Sequence, residues 1–80
     1  GVCIRYFCPS PGVLQSINNQ HLLDNPNVYS YEFYCKPGDV IQEIKSSLDR
    51  SGHVITISDN VHQSIAKAEE LLNNIIFNVK

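Results

Sequence analysis

Three cysteines, at positions 3, 8 and 35, and three histidines, at 21, 53 and 62, are the side chains best able to ligate a metal or attack an electrophile. A structural zinc site needs four ligands converging on one ion. Cys3 and Cys8 lie five apart in the strand-like run "VCIRYFC", so they point to opposite faces. No CxxC pair occurs and the histidines are scattered, so no metal site is expected. A cysteine nucleophile needs a neighbouring base and electropositive surroundings. The spacing supplies neither, and the thiols are read as small packed side chains. His62 falls in the first turn of a predicted helix and is read as an exposed polar residue.

Phosphate chemistry finds no more support. Neither GxGxxG nor GxxxxGK[ST] occurs. The acidic residues are dispersed: Glu69 and Glu70 read as a solvated helix face, and Asp49–Arg50 as a loop ion pair. Four tyrosines suggest a stacking platform for single-stranded nucleic acid, but the basic groove that accompanies one is missing at a net charge of −2. No nucleic-acid partner and no membrane partner are expected. No apolar run approaches a membrane span, and no signal-peptide pattern is present.

At 80 residues, 42% hydrophobic and 18% charged, the chain has the composition of one ordinary globular domain with a modest core. An odd cysteine count fits a reduced, cytoplasmic setting better than a disulfide framework. The chain has no methionine and starts with glycine. It is therefore expected to be a fragment of a longer protein, with residues 1–80 forming a single domain.

The elements that must position these residues follow from periodicity. Val2 to Cys8 reads as a strand, with Val2, Ile4, Tyr6 and Cys8 on one face and Cys3, Arg5 and Phe7 on the other. The corner "CPSPG" stops it, since proline gives the ladder no N–H. Val13 to Ile17 is a second strand. Asn18 or Asn19 is placed to cap a short helix through Leu23, which Pro26 ends. In "NVYSYEFYC", Tyr29, Tyr31, Phe33 and Cys35 alternate with Val28, Ser30, Glu32 and Tyr34.

"KPGD" predicts a type II turn with positive φ at Gly38. Val40 to Ile44 is expected to return antiparallel, "KSSLDRSG" to form a polar loop, and "HVITIS" another strand. A long helix follows, capped by Asp59 or Ser58, with Val61, Ile65, Ala68, Leu72 and Ile75 as its apolar stripe. "IIFNV" closes the chain as a strand. The expected class is α+β: a mainly antiparallel sheet, one long amphipathic helix near the C-terminus and one short helix.

The order of three segments carries a resemblance. Pro9, Pro11 and Gly12 form a P-x-P-G corner. Pro37, Gly38, Asp39 and Ile41 follow an aromatic strand. Ser46 or Ser47, Arg50, Gly52, Val54 and Ile55 fit S-x-x-x-R-x-G-x-[VI]-I. With the closing amphipathic helix, the series resembles the C-terminal domain of ATP-grasp carboxylate–amine ligases of the L-amino-acid-ligase type. It is more distantly similar to the C-terminal domain of biotin carboxylase. Ser58 departs from the family's usual glycine, and His62 and Gln63 replace its paired acidic residues.

The resemblance implies a parent enzyme that makes an acyl phosphate from ATP and a carboxylate, with Mg²⁺, for attack by an amine. The residues that hold ATP and Mg²⁺ would precede this domain, and none here matches them. The resemblance therefore implies no catalytic, cofactor-binding or metal-binding residue in the fragment. The domain would be inactive alone, pack on the ATP-grasp domain of the same chain, and wall one side of the small-molecule substrate site. Arg50 is the candidate substrate-binding residue, being permanently charged and able to grip a carboxylate or phosphate with two N–H groups. The competing reading for Arg50 is an ion pair with Asp49 or Glu43, or a carbonyl cap. The alternatives for the whole chain are a free-standing small-molecule-binding or regulatory α+β module of βαββαβ order, and a carrier domain with a modified lysine at a hairpin tip.

Overall fold

β-Branched and aromatic residues suit a pleated, half-buried surface. The runs rich in them form strands in the computed structural model, which describes residues 1–43 and 50–80. The strands are β1 (Val2–Tyr6), β2 (Gly12–Asn18), β3 (Val28–Phe33), β4 (Val40–Ile41), β5 (Gly52–Ile57) and β6 (Ile76–Val79). One α-helix, α1 (Val61–Asn74), precedes β6. The predicted short helix is a 3-10 turn, Gln20–Leu23.

The class is α+β, as expected, but the strands divide into two three-stranded antiparallel sheets, ordered β1-β5-β3 and β4-β2-β6. "CPSPG" carries the chain from the first sheet to the second. Gly12 opens β2 at φ 141, a conformation disfavoured for L side chains. A Cβ there would also meet the Val79 side chain and the Lys80 carbonyl. The corner is structural. The "KPGD" turn forms as predicted: Asp39 N–H donates to the Lys36 carbonyl at 3.0 Å and Gly38 has φ 100. The strand after it pairs with β2 rather than with β3, and Ile44 lies outside the described residues. The described residues hold a single α-helix, and their strand order differs from the βαββαβ order of the regulatory alternative.

The core lies between the inner face of β1-β5-β3, α1, the 3-10 turn and the second sheet. Phe7, Leu23, Val54, Leu71 and Ile75 are buried, with Ile17, Val28, Phe33 and Phe77 packed against them. The Phe7 ring sits 5.3 Å from Phe33 and 5.5 Å from Phe77, tying the two sheets together.

Three local expectations change. Strict alternation separates Val28 from Phe33, yet both pack on the core, because a register shift between Val28 and Ser30 makes Tyr29 an extra residue. The helix cap is Asn60, whose Oδ1 accepts from Gln63 N–H at 2.9 Å, rather than Asp59 or Ser58. Asn19 does not cap the 3-10 turn through its side chain; with φ 67, it donates from Nδ2 to the Asn74 carbonyl at 2.8 Å.

The buried helix face is also rotated from the predicted stripe. Ser64, Ala68, Leu71 and Ile75 are buried, Ile65 and Leu72 partly so, and Val61 is 45% exposed. Ser64 and Ala68 are small and let the helix approach β1 and β5. Polar bonds then hold it there. Thr56 Oγ1 donates to the Ser64 carbonyl at 2.7 Å, and Ser64 Oγ donates to the Gly1 carbonyl at 2.7 Å. Ser58 joins this knot, its hydroxyl 2.8 Å from Ser64 Oγ. The serine in place of the resembled family's glycine thus has a structural use.

Candidate functional site

Helix α1 covers only one face of the β1-β5-β3 sheet. On the opposite face, β1 presents Val2, Ile4 and Tyr6, which pair in register with Ile57, Ile55 and His53 of β5. Val2, Ile4 and Ile57 are 61%, 42% and 40% exposed. This leaves an apolar stretch across two strands with nothing from the described residues over it.

At the far end of the same face the chemistry changes. Tyr6, His53 and Tyr34 stand side by side across the sheet. Tyr34 follows β3 directly, its N–H donating to the Ser51 carbonyl at 2.9 Å. Its hydroxyl lies 2.6 Å from His53 Nδ1. The Tyr6 and His53 rings meet edge to face at 6.4 Å. Arg50 closes the row, with its guanidinium carbon 3.6 Å from the Tyr6 ring centroid. A cation on an aromatic face at that distance contributes about 0.5–1 kcal/mol when exposed, and more when desolvated. Among the described residues, Arg50 pairs with no carboxylate, so the competing ion pair with Glu43 is not formed. Asp49 lies outside the described residues, as do Ser46 and Ser47.

Arg50 also borders an open groove of about 380 Å³, shared with Tyr34, Cys35, Asp39, Gln42 and Ser51. Cys35 is half-buried there. Burial pushes its thiol pKa up, its hydrogen bond at Ser51 partly opposes this, and the Asp39 carboxylate adds to the rise, so the net shift is upward and disfavours the nucleophilic thiolate. Cys3 is buried and Cys8 exposed, well separated in role and place. His62 is exposed, as read from the sequence, and His21 lies on the 3-10 turn beside α1.

Magnesium and phosphates require several converging oxygen ligands or cations. Among the described residues, no three His, Cys, Asp or Glu side chains gather. Among the described residues, no helix is long and apolar enough to cross a membrane.

Sequence reasoning singled out Arg50 but missed its neighbours. Tyr6 was placed on the face of Val2 and Ile4, and His53 at the start of a strand. Their juxtaposition depends on the register of β1 against β5, which is a long-range property. Periodicity placed Tyr34 opposite Phe33, the face on which it meets His53.

The comparisons with known proteins concern the family and the fold. The family model described as L-amino acid ligase C-terminal domain 2 matches residues 5–80. No curated protein matches the sequence. Among solved structures, phosphoribosylglycinamide synthetase from Anaerococcus prevotii is similar, with a TM-score of 0.84 at 20% identity. The match covers 99% of this chain and 20% of that one, so the chain spans about a fifth of that protein's length. The chain belongs to the L-amino acid ligase C-terminal domain 2 family.

Proposed function

We propose that this domain packs on the ATP-grasp core of an ATP-dependent carboxylate–amine ligase and walls one side of its substrate site without supplying catalytic groups. One observation carries the reading. A single sheet face holds both an apolar stretch, suited to docking, and the Arg50–Tyr6–His53–Tyr34 row, suited to contacting a polar substrate. Exposed apolar patches of this kind mark interaction surfaces. A central strand reading "HVITI" is built for cover on both faces, and the chain's own helix provides only one.

In this reading the preceding ATP-grasp domain of the same chain is the partner. It holds ATP and Mg²⁺ and makes the acyl phosphate, in the cytoplasm. Arg50 reaches toward the substrate from the edge of the docked face. The substrate is a small carboxylate-bearing molecule of the amino-acid class that the family name indicates.

The test is Ile4→Asp, made in the full-length ligase and in the 80-residue chain. The short chain should keep its melting temperature and show no ATP turnover. The full-length variant should be cut faster by protease between its domains and should lose ligation activity. Unchanged proteolysis and activity would show that this face does not dock, and ATP hydrolysis by the short chain alone would overturn the assignment.

A further inference from the structure

The row on the open face has a donor arrangement that docking does not require. The Arg50 guanidinium lies on the Tyr6 ring, so one of its faces is covered, and its N–H edges meet no carboxylate among the described residues. The Tyr34 hydroxyl and His53 Nδ1 share one hydrogen across 2.6 Å. If the phenol donates to Nδ1, the ring proton is on Nε2. If Nδ1–H donates to the phenol oxygen, the phenol proton is free. Both arrangements leave one donor hydrogen unspent. The row therefore offers a fixed cation and a second hydrogen-bond donor, separated by one aromatic ring and buttressed by two paired strands.

We propose that Arg50, with the His53–Tyr34 pair beside it, binds the free carboxylate of the amine-bearing amino acid substrate. This rests on the ligase reading above. In ligation the substrate's amine nitrogen attacks the acyl-phosphate carbon. A C–N bond forms, the C–O bond to phosphorus breaks with its electron pair leaving on phosphate, and the amine gives up a proton. The attacking amino acid's own carboxylate takes no part and stays anionic throughout. An enzyme that selects an amino acid over a plain amine must read that charge, and an arginine fork is the side chain best matched to it. The Tyr6 ring fixes the guanidinium plane, so Tyr6 is a positioning residue. Glu32 lies across from His53 in register and is exposed; its carboxylate opposes an anion at that end of the row, so the grip falls mainly to the Arg50 fork beyond it.

The experiment compares L-alanine with L-alaninamide as the amine substrate of the full-length enzyme. The amide keeps the nucleophile and removes the carboxylate. The wild type should prefer the acid about tenfold or more in kcat/KM, as expected when a charged group loses its charge-assisted partner. Arg50→Ala should erase that preference by raising KM for alanine, with KM for ATP unchanged. Arg50→Lys should restore it in part, and Tyr34→Phe should weaken it severalfold. Retention of the full preference in Arg50→Ala would overturn the proposal. A melting curve shows whether each variant is folded. Equilibrium binding of L-alanyl-L-alanine and of its C-terminal amide to the same full-length proteins separates the two readings. If no ligation is found but the free dipeptide binds more tightly and loses that advantage in Arg50→Ala, the ligase reading fails and the carboxylate site stands. Equal binding of dipeptide and amide by the wild type overturns the site.

Discussion

The two faces of the β1-β5-β3 sheet are built from similar residues and end in different states. The inner face carries Cys3, Phe7, Val54 and Thr56, all buried beneath α1 and the second sheet. The outer face carries Val2, Ile4, Ile55 and Ile57 and is as apolar, yet three of these four remain at least 40% exposed. Hydrophobicity alone does not decide which face is covered. What distinguishes the inner face is fit: small Ser64 and Ala68 bring the helix close, and Thr56 meets the Ser64 carbonyl, so no polar side-chain atom is buried without a partner among the described residues. The outer face has a different design, an apolar stretch running into a charged and aromatic end, which suits a surface meant for something outside the domain.

The largest effect that could break this contrast comes from the inner face. Leu71→Ala should destabilise the domain by about 2–5 kcal/mol, because it removes a buried side chain and leaves a cavity. Urea denaturation measures it. Ile4→Ser on the outer face of the 80-residue chain should cost much less, within about 1 kcal/mol. A loss as large as that of Leu71→Ala would mean that the outer face is core after all.

Thr56→Val tests whether fit rather than greasiness holds the helix. It keeps the shape and adds hydrophobicity but removes the 2.7 Å bond to the Ser64 carbonyl. The domain should lose about 1–3 kcal/mol, the cost of an unsatisfied buried polar group. Equal or greater stability in the same denaturation experiment would show the bond to be dispensable.

The smallest effect concerns the rim, where Cys35 sits half-buried. Its folded pKa is raised by burial and by Asp39. The neutral thiol is thus favoured by folding. That contribution is complete below the unfolded thiol pKa and is lost as pH rises through the higher folded value. Stability should therefore fall slightly on the alkaline side, and Cys35→Ala should flatten the decline. Alkylation at neutral pH should label exposed Cys8 well before Cys35, as read by mass spectrometry.

Much of the fold was legible where local chemistry decides it. Proline at 37 and glycine at 38 specify their turn through φ alone, and the structure keeps it. Strand-forming composition located the strands, and helical periodicity located α1. Legibility failed where a contact distant in sequence outvoted a local preference. The bulge at Tyr29 reverses the faces of half a strand to bring Val28 and Phe33 to one core. β4 follows the turn but takes β2 as its partner. The candidate site shows the same division. Arg50 was visible as a lone cation in a recognisable motif, whereas the ring beneath it comes from β1, far away in the chain.

The sequence by itself therefore determined the element types, the two proline–glycine corners, the net charge of −2 and the family. These depend on backbone preferences, composition and motif order, all carried by neighbouring residues. Only the tertiary structure decided how six strands divide into two sheets, which face of α1 is buried, and that Tyr6, His53, Tyr34 and Arg50 share one surface. The physical reason is that strand register and helix rotation are set by close packing and by satisfaction of buried polar groups. Both are properties of pairs of segments, and no single stretch of chain contains them.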